Sequence, residues 1–332
     1  MHKCIDPTLG LCKPKEIINY MQMDYGVRMS YKKAWRSRGK ALKSLYGTEA
    51  ESYAFLPKLM YMIETKNPGS LFDLVTTGSN NQFVSFFMSL SPWRRGWKYC
   101  RPIIIVDTTF LKNYYKGACA MDGNEQIFTL AFFHGSNESN ETWIYFLRKL
   151  KDAIGDREHT VIVSDRHQGI VNAVKEVYPT REHGFCVHHL LGNLKTTFKG
   201  SITKQVKWKF YAAAKAYTQP EFEKYMCMLD SENPEIRPYL EKEVGYQRWA
   251  RSCFRENRYD IMTNNNAESL NAFNVKPREF PISKLFDWLR ERSLGWYHER
   301  RELATKTTTL LTKEAQKKLE TNYAAACGMP VC

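Results

Sequence analysis

Apolar residues in this chain follow two different periods. Two short unbroken runs, Ile103-Ile104-Ile105-Val106-Asp107 and Thr160-Val161-Ile162-Val163-Ser164-Asp165, have the length and β-branched content of buried strands, and each ends in an aspartate. Elsewhere apolar positions recur every three or four residues. Trp143, Phe146, Leu147, Leu150 and Ile154 form one stripe on a helix expected from Glu141 to Ile154. The same period predicts helices at Lys15–Tyr25 and Tyr31–Tyr46, and a third that Asn67-Pro68-Gly69 stops.

Residues 70–100 are mixed, with Phe83, Phe86, Phe87, Trp93 and Trp97 as strand and packing material. Further strands are expected at 116–121 and 126–134, joined by a turn at Asp122-Gly123-Asn124. After the 160–165 strand come a helix from Gln168 to Tyr178 and a short strand at Gly184–Val187. Residues 188–255 read as largely helical, with Trp208, Phe210, Phe222 and Leu229 buried. Further helices are expected to begin at Glu268 and to cover Ile282–Leu303. Three strands, a helix, a strand, a helix and a strand describe an α/β chain: a mixed sheet with flanking helices, a helical N-terminal region and an all-α insertion. The expected divisions are 1–95, 96–190 (first part of the core), 191–255 (helical insertion), 256–305 (closing helices) and 306–332 (a tail).

Composition narrows the class. Hydrophobic content of 43% and aromatic content of 14% belong to a packed protein, and no apolar run is long enough to span a membrane. The N-terminus lacks the apolar stretch of a secretory signal, and nine cysteines without framework spacing read as reduced thiols. Net charge is +14, and it is clustered. Cys186 to Pro220 holds six lysines and no acid, among them Lys195, Lys199, Lys204, Lys207 and Lys209. The segment from Tyr31 to Lys40 interleaves lysine and arginine with Tyr31 and Trp35. Either cluster alone reads as a solvated helix face; together, on a chain that also has the acidic residues below, they favour a polyanionic partner.

Open α/β sheets bind ligands beyond the carboxyl ends of their strands. Asp107 and Asp165 are expected there, with Glu268, in Thr263-Asn264-Asn265-Asn266-Ala267-Glu268-Ser269, on a helix beside them. Three carboxylates make a hard-oxygen set for two Mg²⁺ or Mn²⁺ ions, which suits phosphodiester chemistry. Taken singly, Asp165 could cap a helix, Asp107 could open a turn and Glu268 could complement a helix dipole. It is their order along one chain that selects the catalytic reading. Cys186 and His189 form a Cys-x-x-His pair that can supply half of a zinc site. Only His183, His188 and Cys253 are nominated to complete it, and local support of the carboxylate site is the preferred reading.

Several stretches resemble the Mutator-like element (MULE) transposases of plants, relatives of the far-red-impaired-response transcription factors. They are Asp107-Thr108-Thr109-Phe110-Leu111-Lys112, Asp122 to Phe128, Glu138 to Trp143, Phe185-Cys186-Val187-His188-His189-Leu190, and Arg258 to Asn265 followed by Ala267-Glu268-Ser269. The resemblance implies an RNase H-like core with a DDE triad at Asp107, Asp165 and Glu268. It also implies strand cleavage and joining of double-stranded DNA in the nucleus, by a chain that can associate as a homo-oligomer and has no membrane role. Family members carry terminal zinc-binding modules. His2 and Cys4 are all that residues 1–5 hold of the first, and Cys327 to Cys332 does not match the last, so a truncated catalytic region is expected. The contrasting expectation is a domesticated DNA- or protein-binding regulator that keeps the fold without the chemistry; a host nuclease of the same fold is the third.

Overall fold

The computed structural model describes residues 5–6, 10–109, 114–135, 137, 139–263 and 280–328. The chain divides into two compact units, residues 1–66 with 272–301 and residues 67–271 with 302–332. Elements are numbered along the chain.

The first unit holds a two-stranded antiparallel ladder, β1 (Ile5–Asp6) with β2 (Gly10–Leu11), followed by α1 (Pro14–Tyr25), α2 (Tyr31–Tyr46) and α3 (Glu49–Lys66). Most of the long helix α11 (Ile282–Thr305) also belongs to it. Local chemistry sets the helix ends. Pro14 occupies the first turn of α1, and Gly26 ends that helix at φ 65°. Ser30 caps α2 by accepting from the Lys33 N–H at 3.3 Å. Ser52 of α3 accepts from the Ser283 N–H at 2.9 Å, which ties α3 to the start of α11.

The second unit is built on a seven-stranded mixed sheet. Its elements are β3 (Leu71–Thr77), β4 (Gln82–Ser89), α4 (Ser91–Gly96), β5 (Ile103–Thr109), β6 (Tyr114–Met121), β7 (Ile127–Gly135), α5 (Asn140–Ile154), β8 (Val161–Ser164), α6 (Gln168–Val177) and β9 (Glu182–Phe185). The strand order is β3-β4-β7-β6-β5-β8-β9. Pairing is antiparallel from β3 to β5 and parallel from β5 through β8 to β9. One face carries α5 and α6, whose Trp143, Phe146, Leu147, Leu150, Ile170 and Val174 pack on Ile104, Val106, Ala118 and Ile162 of the sheet. Helices α7 (Val187–Thr197), α8 (Lys204–Lys215), α9 (Gln219–Asp230) and the short α10 (Ile236–Tyr239) form a second apolar cluster around Phe210, Phe222 and Trp249. Helix α12 (Lys313–Cys327) lies in what the sequence presents as a tail.

The structure changes three expectations and bears out a fourth. The division at 95/96 does not separate helices from sheet, because β3 and β4 pair into the same sheet as β5–β9. The last strand ends at Phe185, not Val187; Val187, Leu190, Leu191 and Leu194 have helical spacing and are buried as the core face of α7. Phe210, Phe222 and Leu229 are buried, but Trp208 is 57% exposed. Helix α8 turns Val206, Phe210, Ala213 and Ala214 inward, and Trp208, two residues from Val206, falls outside that stripe. The hairpin at Asp122 forms, with Asp122 Oδ1 accepting from the Asn124 and Gln126 N–H groups at 2.9 Å, but Glu125 takes the left-handed conformation at φ 60°.

Candidate active site

Strand β5 lies inside the sheet, antiparallel to β6 on one side and parallel to β8 on the other. Ile105 is paired with Val163, so Asp107 and Asp165 each follow a matched pair by two residues on neighbouring parallel strands. Alternation along the strand sends Ile104 and Val106 into the α5–α6 core and Asp107 to the opposite face. Asp107 is buried and stands opposite Gly117 of β6. Burial and the charge on Asp107 together push the Cys119 thiol above its ordinary range.

Asp165 follows β8 and does not itself cap α6. His167 is the cap, with Nδ1 accepting from the Gly169 N–H at 3.2 Å, while Asp165 Oδ1 accepts from the His167 N–H at 2.9 Å. Asp165 is thereby held at the strand end, between sheet and helix. Glu268 and the helix expected from it lie outside the described residues, as do His2 and Cys4.

Next to Asp165 is the β9–α7 junction. Cys186 is the residue before α7, is buried, and donates its N–H to the Ser164 carbonyl at 2.7 Å. His189 lies in the first turn of α7. The nominated zinc partners are engaged elsewhere. His183 Nε2 is hydrogen-bonded to Ser164 Oγ at 2.8 Å, His188 Nδ1 to the Tyr211 hydroxyl at 3.3 Å, and Cys253 Sγ accepts from Gln219 Nε2 at 3.3 Å. Burial, with the charges of Arg248 and Arg258, pushes His183 down to about 3, so its ring is neutral at ordinary pH. Among the described residues, no three His, Cys, Asp or Glu side chains gather as a metal-ligand set.

Sequence reading passed over two buried cations. Lys116 is fully buried in β6, donates to Thr142 Oγ1 at 3.2 Å, and lies 4.9 Å from the Trp143 ring and 5.1 Å from the Phe133 ring. It faces α5, away from Asp107. Arg258 donates to the carbonyls of Phe185 (3.1 Å), Arg248 and Trp249 (both 3.3 Å). Burial pushes its guanidinium down to about 10, still charged at neutral pH. The Met262 carbonyl accepts from the Val187 N–H at 2.9 Å. These bonds fasten the segment leading toward Glu268 to the β9–α7 junction. Between the two attachments, Tyr259 (φ 46°) and Asp260 (φ 66°) form a left-handed elbow. Asp260 pairs there with Arg251 and Lys318, and Arg101 donates to the Tyr259 carbonyl. Burial would raise the Asp260 carboxyl, but hydrogen bonding and charge from Lys318 and Arg251 hold it below the usual range. The only available signal was the position of Arg258 at the head of a family-like run.

Of the lysines singled out, Lys195, Lys199 and Lys204 are exposed. Lys207 is half-buried, and Lys209 is tied to Glu232 at 2.7 Å and to the Met228 carbonyl at 3.1 Å.

Comparison with known proteins places this geometry. Residues 103–193, from β5 into α7, match the family model of the MULE transposase domain. Over 224 residues, 64% of the chain, it is 23% identical to Protein FAR-RED IMPAIRED RESPONSE 1 of Arabidopsis thaliana, covering 27% of that protein. It is 31% identical over 86 residues to the transposase for insertion sequence element IS256 in transposon Tn4001 of Staphylococcus aureus, covering 26% of the chain and 21% of that transposase. The transposase of the same name from Enterococcus faecalis matches to the same extent. The chain thus spans about a quarter of the length of these curated relatives. Among the described residues, no helix is long and apolar enough to cross a membrane.

Proposed function

We propose that the second unit is the RNase H-like core of a DDE-type DNA transposase, acting on double-stranded DNA in the nucleus, with Asp107, Asp165 and Glu268 as its acids. The observation that supports this reading is that Asp107 of β5 and Asp165, just beyond β8, each follow the paired residues Ile105 and Val163 by two positions. The donors fit Mg²⁺ or Mn²⁺: both are carboxylates, and the nearby His183 ring is committed to Ser164. When bound, two such ions stabilise the attacking and leaving oxygens of an in-line displacement. Asp107 and Asp165 would hold that charge, with Glu268 proposed from the sequence as the third acid. Lys195, Lys199 and Lys204 neutralise backbone phosphates; Lys209, tied to Glu232, contributes to the fold. Cys186 and His189 support the strand-to-helix junction beside Asp165.

The test is incubation of the purified protein with an end-labelled duplex and Mn²⁺. Metal-dependent nicking is expected from the wild type. Asp107→Asn should lose about 10²–10³-fold, the several kcal/mol that metal stabilisation supplies. Nicking that survives in this variant would overturn the assignment.

A second reading, a non-enzymatic regulator that keeps the fold, draws on the longer match to Protein FAR-RED IMPAIRED RESPONSE 1, 64% of the chain against 26% for the transposases. Duplex binding by the wild type without any nicking would favour it.

A further inference from the structure

Helix α2 of the first unit carries six cations and no acid in its 16 residues. Arg38 is turned inward and donates through Nε to the Cys12 carbonyl at 2.8 Å. The other five, Lys32, Lys33, Arg36, Lys40 and Lys43, are exposed. At 3.6 residues per turn these five fall within about 100° of arc and span about 16 Å of helix. Lys43 is near enough to Glu51 to help hold that carboxyl below its usual range, and the stripe of Lys32, Lys33, Arg36 and Lys40 lies ahead of it. Trp35, 59% exposed, lies beside the Lys32 edge of the stripe, while Tyr31, 56% exposed, and the buried Ala34 both lie on the far side.

Three features of this helix work against its own stability. Lys32/Arg36 and Arg36/Lys40 are like charges four residues apart, which repel on a helix surface. Lys32 and Lys33 occupy the first turn, where the helix dipole disfavours cations and where α2 has no acid. Gly39 sits in mid-helix, where glycine is a poor helix former, and a Cβ added there would meet nothing within 4 Å. Packing inside the protein therefore explains neither the charges nor the glycine. A polyanion lying along the stripe explains all three. It would neutralise the repulsion, offset the dipole and come close to the helix at Gly39, between Arg36 and Lys43.

We infer that this face of α2 is a second docking surface for the phosphate backbone of duplex DNA, separate from the lysines of α7 and α8. The choice of duplex DNA rests on the transposase reading above; the surface itself rests on α2. A lipid bilayer is the competing reading, since Tyr31, Trp35 and Leu45 of α2 are exposed and only Ala34 is buried; capture by phosphatidylserine vesicles in the test below distinguishes it. An exposed aromatic such as Trp35 beside a cationic track suits a nucleic-acid backbone, where it can rest against sugar.

The experiment is titration of the full chain into a fluorescently labelled duplex at several salt concentrations. Three proteins are compared with the wild type. One is Lys32→Gln/Arg36→Gln/Lys40→Gln. The second, matched in charge, is Lys15→Gln/Lys58→Gln/Lys66→Gln. The third is Lys195→Gln/Lys199→Gln/Lys204→Gln. The α2 variant should lower the slope of log affinity against log salt by about 2.7, or 0.9 for each lost contact, and weaken binding by about tenfold or more at low salt. Circular dichroism should show its helix content retained, since glutamine is a good helix former. The charge-matched control should keep the wild-type slope. Equal effects of the α2 variant and this control would overturn the surface. A slope lowered by the α7–α8 variant but not by the α2 variant would overturn the surface and leave the transposase reading standing. No duplex binding by the wild type, with or without capture by phosphatidylserine vesicles, would overturn both.

Discussion

The guanidinium of Arg258 fills the space that a side chain at residue 184 would need: a Cβ on Gly184 would lie 3.0 Å from Arg258 Cζ. Arg258 can reach the Phe185 carbonyl only because β9 has no side chain at that point. Gly184→Ala should therefore cost about 1–3 kcal/mol of stability, as overpacking does in a core. Arg258→Met should cost about 3 kcal/mol or more, because the Phe185, Arg248 and Trp249 carbonyls each lose this donor. Chemical denaturation of both variants checks the pair. A neutral Arg258→Met would show that the guanidinium is not what joins the two segments.

Metal should act on stability as well as on chemistry. A ligand that binds only the folded protein adds about 2.7 kcal/mol at one hundred times its dissociation constant. Mn²⁺ should thus raise the melting temperature of the wild type and leave Asp107→Asn or Asp165→Asn unmoved. This measurement needs no DNA and no turnover. Equal shifts in wild type and variants would place the metal elsewhere.

Acid should weaken the fold before the carboxylates titrate. Burial and its neighbouring cations push His183 down to about 3, and burial with Lys116 pushes His134 down to about 4. An unfolded histidine titrates near ~6.5, so below that pH the unfolded chain takes up protons that the folded chain refuses. Stability should be full above about pH 6.5 and fall as pH drops toward 4, by at most about 1.4 kcal/mol per pH unit for each histidine. Denaturation midpoints between pH 5 and 7.5 read this directly. His183→Gln should flatten the slope; an unchanged slope would mean that this imidazole titrates normally.

Asp260 should matter locally. Its ion pairs with Arg251 and Lys318 are partly exposed, so Asp260→Asn should change global stability by less than about 1 kcal/mol. Lys318 belongs to α12, and hydrogen exchange in that helix should quicken in the variant. Unchanged exchange would assign the docking of α12 to Thr312, which donates to the Gly123 carbonyl at 2.7 Å.

The parts of this architecture that depend on apolar period were legible in advance. Strands β5 to β8 and helix α5 follow from runs and stripes whose burial is set by neighbours close in sequence. The β3–β4 hairpin was not resolved, because its strands mix polar and apolar residues, and its place in the sheet is fixed by β7 far along the chain. The end of β9 was misplaced because Val187 suits a strand as well as a helix. Asp107 and Asp165 could be named from the ends of their runs, whereas Arg258 and Lys116 could not. A buried cation is identified by carbonyls and rings brought from elsewhere, and no local pattern announces them.

The parallel pairing of β5 with β8 also carries a folding consequence. Residues 114–154, which form the β6–β7 hairpin and α5, lie between Ile105 and its partner Val163, so this pairing is made through contacts distant in sequence. During synthesis, until residues 161–164 emerge, β5 presents Ile103, Ile104, Ile105 and Val106 on an open sheet edge. Slowed translation in this interval should favour aggregation more than a pause at any later point in the chain.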